Sequence, residues 1–147
     1  MIVQERFENL KLLELNSRAA QAAVRYYLLA CISNPTLVPP GLGVRNIRNC
    51  REDIERTYFV RLFAEFEITL RNYWHVGRKR SSEPPVAALI DGIAAVRSVR
   101  PEVRTFAHQV REYRNLIVHG GSPTQPIAMT EAKRSLCRFL SYLPRQW

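Results

Sequence analysis

Apolar residues recur along this chain at three- and four-residue steps, and no stretch alternates strictly as a half-buried strand would. From residue 3 to 31 one face carries Phe7, Leu10, Leu13 (or Leu12), Ala20, Val24 and Tyr27, with no Pro or Gly to interrupt it. An alanine-rich centre, Ala19 to Ala23, leaves room for a neighbouring helix, and Asn34-Pro35 ends the segment. A second helix is predicted over 51–76, with Tyr58, Leu62, Phe66, Leu70 and Tyr73 inward and Phe59, Phe63 and Trp74 beside them. Glu52, Asp53 and Glu55 would occupy its first turn, where acids suit the helix dipole. Val86, Leu89, Ile90, Ile93 and Val96 define a shorter helix over 84–99. Another follows over 101–119, opened by Pro101 and Glu102 and stopped by Gly120-Gly121 and then Pro123. Thr130 can cap a last helix over 131–143, which buries Leu136, Phe139, Leu140 and Leu143.

The pattern therefore predicts an all-α fold: one compact domain over 1–147, a bundle of four to five helices with Phe66, Leu70, Val110, Tyr113, Ile117 and Leu140 in its core. Two connections stand out. Residues 33–49 read as a long Pro- and Gly-containing loop ending in Arg45 and Arg48, and residues 77–85 as a short loop with Arg78, Lys79 and Arg80.

The helix over 101–119 differs from the others on its polar side. Phe106, Val110, Tyr113 and Ile117 make its apolar stripe, while His108, Glu112, Asn115 and His119 repeat the same spacing nearly opposite. Arg114 falls at the margin of the apolar stripe, roughly 140° from His119 at about 100° per residue. A merely solvated helix carries a Lys/Glu mixture on its outer face, so this stripe calls for another explanation.

Charge narrows the partners. The chain has 22 basic and 13 acidic residues, a net charge of +9, and all but Lys11, Lys79 and Lys133 of its basic residues are arginine. Arginine grips phosphate oxygens in a bidentate fork, so the balance points to a polyanion, with Arg45, Arg48, Arg78, Lys79, Arg80 and Arg111 as RNA-binding candidates. Cys31, Cys50 and Cys137 are odd in number and have no paired spacing, which argues against a disulfide framework or zinc knuckle and for a reducing cytoplasm. The charged amino terminus does not read as a signal peptide. The longest uncharged run, residues 26–44, is broken by Pro35, Pro39 and Pro40 and does not read as a membrane helix.

Among catalytic patterns, no Gly-rich phosphate loop, His-Glu-x-x-His, Cys-x-x-Cys or Gly-x-Ser-x-Gly occurs, and the three histidines, His75, His108 and His119, form no evident metal pair. No metal or other cofactor is expected. RNA can be cut without one, because its 2′-hydroxyl can attack the neighbouring phosphate. A histidine can move the protons, an arginine can hold charge on the phosphorane, and an asparagine can fix either by hydrogen bonding.

The run Arg114-Asn115-Leu116-Ile117-Val118-His119, preceded by Arg111-Glu112-Tyr113, resembles the HEPN superfamily motif: an arginine, a polar residue, and a histidine four to six positions beyond the arginine. The resemblance covers most of the chain. It implies a small all-helical domain, a metal-independent endoribonuclease of toxin or anti-phage type, and a composite site at a symmetric homodimer interface that includes the motif helix. It also implies Arg114, Asn115 and His119 as catalytic residues, with an acid on the earlier helix to orient them. Glu67 is the first choice for that acid and Glu65 its rival, although an i,i+4 pair between Glu67 and Arg71 would explain Glu67 equally well. A neutralising antitoxin or a nucleotidyltransferase-like protein is the partner such a system would have. The competing expectation is a non-catalytic helical module that binds RNA or a protein through the same basic surface.

Overall fold

In a computed structural model that describes residues 3–121 and 125–147, the chain folds into five α-helices, with no β-strand among the described residues. The helices are α1 (Val3–Ser33), α2 (Val44–Asn72), α3 (Val86–Val96), α4 (Pro101–Val118) and α5 (Met129–Leu140). A 3-10 turn, Pro35–Leu37, follows α1, and a π-turn, Tyr73–Gly77, extends α2. Pro123 lies outside the described residues.

Helices α1 and α2 run as a long antiparallel hairpin, and α3, α4 and α5 gather around one end of it. At that end Phe59, Leu62, Phe63, Phe66 and Leu70 of α2 meet Leu10 of α1, Leu89, Ile90 and Ile93 of α3, Val103, Ala107 and Val110 of α4, and Leu136, Phe139 and Leu140 of α5. Aromatic edges knit the layers: Phe66 meets Phe139 at 5.5 Å and Phe59 meets Tyr113 at 4.7 Å. Each such pair adds roughly 1 kcal/mol beyond its buried area. The hairpin's far end has only a thin cluster of its own, Leu28, Cys31 and Ile47.

Several boundaries differ from the sequence expectation, each for a local reason. Helix α2 begins at Val44 rather than 51, because Asn46 Oδ1 accepts from the Gly43 N–H at 2.9 Å and Ile47 is buried against α1. Arg45 and Arg48 thus sit on a helix, not in a loop, and Glu52, Asp53 and Glu55 lie too deep in it to answer its N-terminal dipole. Thr130 does not cap α5, which starts at Met129; its hydroxyl donates instead to Glu14 Oε1 at 2.8 Å. Tyr27 and Val96, expected inward, are exposed. In α4 the buried line is Val103, Ala107 and Val110, with Phe106, Tyr113 and Ile117 half-buried beside it. That rotation moves Arg114, four residues past Val110, onto the inward face.

Candidate functional site

The end of α4 is set by its glycines. Gly121 N–H donates to Leu116 O at 2.7 Å and Gly120 N–H to Ile117 O at 3.3 Å, and Gly120 has φ +73°. This is the paired closure of a left-handed C-terminal cap, which a residue with a Cβ enters only with strain. A Cβ on Gly121 would meet Leu116 at 3.0 Å, so both glycines are fitted to the stop. The closure makes His119 the cap residue. It stands exposed at the helix end, its imidazole in no hydrogen bond or ion pair among the described residues.

Arg114 points the other way, into the seam with α2. Its guanidinium lies over the Phe63 ring, 4.8 Å from the centroid, and Nη2 donates to Glu67 Oε2 at 3.2 Å. Glu67 Oε1 accepts twice from Arg71, from Nε at 2.9 Å and Nη2 at 2.7 Å. Arg71 Nη1 in turn donates to Pro84 O at 3.2 Å. The carboxylate thus bridges two arginines on different helices, and the segment that follows the π-turn is tied to the same cluster. The i,i+4 pair and the cross-helix contact coexist at Glu67. Glu65 faces elsewhere, held by Arg6 Nη1 at 2.6 Å and Asn9 Nδ2 at 3.0 Å on α1.

Arg114 Nε and Nη1 have no partner among the described residues. Asn115 is half-buried next to it. Arg111, one turn earlier on α4, has its Nε buried without a hydrogen-bond partner and reaches Glu112 only at 3.4 Å. The polar stripe of α4 is partly accounted for inside the chain: His108 Nε2 lies 2.8 Å from Asp91 Oδ1 on α3, leaving Glu112, Asn115 and His119 on the outer side. Tyr113 packs on Phe59; burial and then the Glu55 carboxylate push its phenol up, against the pull of Arg56, so it stays protonated at neutral pH.

The structure does not bring all predicted basic residues to one place. Arg78 is half-buried with its Nε unpartnered, while Lys79 and Arg80 are exposed beyond the π-turn. Their loop is pinned by Trp74 Nε1 donating to Ser82 O at 3.1 Å and by the His75 ring nitrogen, 2.7 Å from Arg80 O. Arg45 and Arg48 lie exposed on α2 near the far end of the hairpin. Along α2, Arg48 is about 29 Å from Glu67 at 1.5 Å per residue. Sequence reasoning missed Phe63 as the seat of Arg114, though its position one turn before Glu67 on α2 was a usable signal. It also missed Asp91 as the partner of His108. No group of His, Cys, Asp and Glu able to hold a metal is found among the described residues, and no helix among them is long and apolar enough to cross a membrane.

The chain has no match among protein-family models, curated proteins or solved structures.

Proposed function

We propose that the chain is a metal-independent endoribonuclease of the HEPN type, in which Arg114, Asn115 and His119 act on RNA and Glu67 positions Arg114. The observation that carries this reading is the posture of Arg114: it is gripped on one edge by Glu67 and stacked on Phe63, with Nε and Nη1 left unpartnered among the described residues. A guanidinium held on one edge and open on another is pre-set to receive phosphate oxygens as charge grows on them. Histidine is the side-chain type that exchanges protons near neutral pH. His119 stands exposed at the helix end, so it suits removal of the 2′-hydroxyl proton or protonation of the leaving 5′-oxygen. Cleavage would then leave a 2′,3′-cyclic phosphate and a 5′-hydroxyl. Asn115 would orient the imidazole or a phosphate oxygen.

Arg114 turns inward and His119 sits outside at the helix end, so one copy presents the two groups on different sides of α4. A symmetric second copy packed across the seam of α4 and α2, rather than on the outer side of α4 alone, would bring one motif's His119 to the other's Arg114, and we include that composite site in the proposal. Cytoplasmic residence and an antitoxin or nucleotidyltransferase-like partner belong to the same reading.

The alternative, a binding module without chemistry, is separated by paired variants. His119→Ala should lower cleavage by about two orders of magnitude or more while RNA affinity changes little, because one side chain adds little to a surface dominated by phosphate contacts. Replacing Arg78, Lys79 and Arg80 together should do the reverse. Affinity should fall, and the slope of its salt dependence should shrink by up to about one for each cation that had neutralised a phosphate. Equal loss of binding from both variants, with no cleavage by either the variants or the wild type, would leave the binding module as the function.

A further inference from the structure

Helix α1 is apolar on two opposite sides, and only one of them is covered by the described residues. Its buried line runs Leu10, Glu14, Ser17, Leu28, Cys31, in the three-four rhythm of a packed helix. A second line with the same rhythm runs Leu12, Leu15, Ala19, Ala22, Tyr26, Leu29, displaced by two residues and therefore roughly 200° away. All six are exposed: Leu12 by 55%, Leu15 by 46%, Tyr26 by 74% and Leu29 by 51%, with Ala19 and Ala22 between them. Scattered apolar surface is ordinary, but a contiguous stripe of this kind marks an interaction site.

We propose that this outer stripe pairs antiparallel with the same stripe of a second copy. The stripe is a palindrome in size: two large residues, two alanines, two large residues. A two-fold axis between Ala19 and Ala22 sets Leu12 against Leu29 and Leu15 against Tyr26 of the second copy, while the alanines let the helices cross closely. Such self-complementarity is what an isologous interface requires, and a foreign helix would have no reason to match it. The ends agree. The same axis sets Glu8 of one copy opposite Ser33 of the other and Glu5 opposite the turn that follows, so these acids do not meet their own counterparts. It also lays Ile32, 55% exposed, beside Lys11 of the second copy, at the mouth of a 580 Å³ mostly apolar groove between Phe7 on α1 and Cys137 on α5.

One feature opposes the pairing: Arg18 faces Arg25 of the second copy along the rim, a repulsion that salt screens. A parallel pairing would avoid it, but would set Glu5 and Glu8 beside their own counterparts and leave the groove unfilled. Four large side chains and Ile32, each about half exposed or more, supply on the order of half the ~800 Å² per partner that a standard interface buries, and the alanines and flanking arginine stems add to it. This face is turned away from α2, whereas the end of α4 borders α2 through Ile117 and Val118. The pairing is therefore independent of the composite site proposed above.

The test is sedimentation of the full chain at tens of micromolar, beside a Tyr26→Glu/Leu29→Glu chain whose helicity is checked by circular dichroism. The double variant alters only exposed side chains, so it should fold normally and show half the assembly mass of the wild type. A wild-type monomer, or a variant of unchanged mass, overturns the proposal; the latter places any pairing elsewhere, as on α4. Orientation is read from Leu12→Cys and Leu29→Cys chains in a Cys50→Ser/Cys137→Ala background. Mixing the two should give a disulfide-linked pair at least tenfold faster than either alone. Faster linkage of each chain with itself means a parallel pair and overturns the arrangement.

Discussion

Glu14 and Glu67 each take a basic group from another helix and a second partner beside it, and they are gripped differently. Glu14 is buried on α1 and takes Lys133 Nζ on one oxygen and the Thr130 hydroxyl on the other, both from α5. Glu67 on α2 is partly exposed and takes Arg71 and Arg114. At Glu14 the partners' hydrogen bonds close on the carboxylate in the interior, and what the cluster does is join α1 to α5. At Glu67 one partner, Arg114, keeps N–H groups in hand and lies five residues from an exposed histidine. An ion pair that is spent within the fold reads as architecture, and one that holds a cation half-open reads as a site.

The difference between the two should show most strongly in stability. Lys133→Met leaves the Glu14 carboxylate buried without its charge partner and should cost about 3 kcal/mol in denaturant unfolding, with any cleavage by the remaining folded protein unchanged. Burial pushes the Glu14 carboxyl up, but hydrogen bonds from Lys133 and Thr130 and the charges of Lys133 and Arg18 outweigh it, so its pKa lies below the ordinary 4.5. A carboxyl depressed on folding contributes stability that is fully present above the unfolded value and lost as pH falls through the folded one. The melting temperature should therefore fall as pH drops below 4.5, and Glu14→Gln should flatten that part of the profile. A melting curve equally steep in Glu14→Gln would assign the acid sensitivity to other groups.

Arg114→Ala should lower the cleavage rate by two orders of magnitude or more, about 2.7 kcal/mol in transition-state stabilisation. Glu67→Gln keeps the shape but loosens the hold on Arg114, and should lower the rate constant for cleavage more than RNA affinity. If Glu67→Gln instead behaves like Lys133→Met, altering stability and leaving the rate alone, the two carboxylates are alike and the distinction fails. Gly120→Ala forces a Cβ into the left-handed cap and should cost about 1 kcal/mol of stability. It should also disturb the placement of His119, so a variant that loses stability with an unaltered rate would show that the cap does not position the histidine.

The fold was largely legible because its core residues sit at helical spacing in segments long enough to leave no choice: Phe66, Leu70, Val110 and Leu140 are all fully buried. The start of α2 was not legible, because Gly and Pro upstream read as loop and the Asn46 side chain that replaces a conventional cap lies inside the helix it starts. The motif residues were visible as a pattern, but the direction of Arg114 was not. A stripe drawn through Phe106, Tyr113 and Ile117 is rotated from the line that is buried, and only tertiary packing decides which apolar residues of an amphipathic helix go deepest. Nor could the outer stripe of α1 be separated from its inner one by periodicity, since both share the rhythm.

Metal-free RNA cleavage at the end of α4, as proposed, is tested most directly by incubating the purified chain with RNA in excess EDTA and analysing the product ends. The wild type should cut in EDTA to give 2′,3′-cyclic phosphate and 5′-hydroxyl ends, and His119→Ala should be slower by about two orders of magnitude or more. Cleavage abolished by EDTA, or an undiminished rate in His119→Ala, would contradict that assignment.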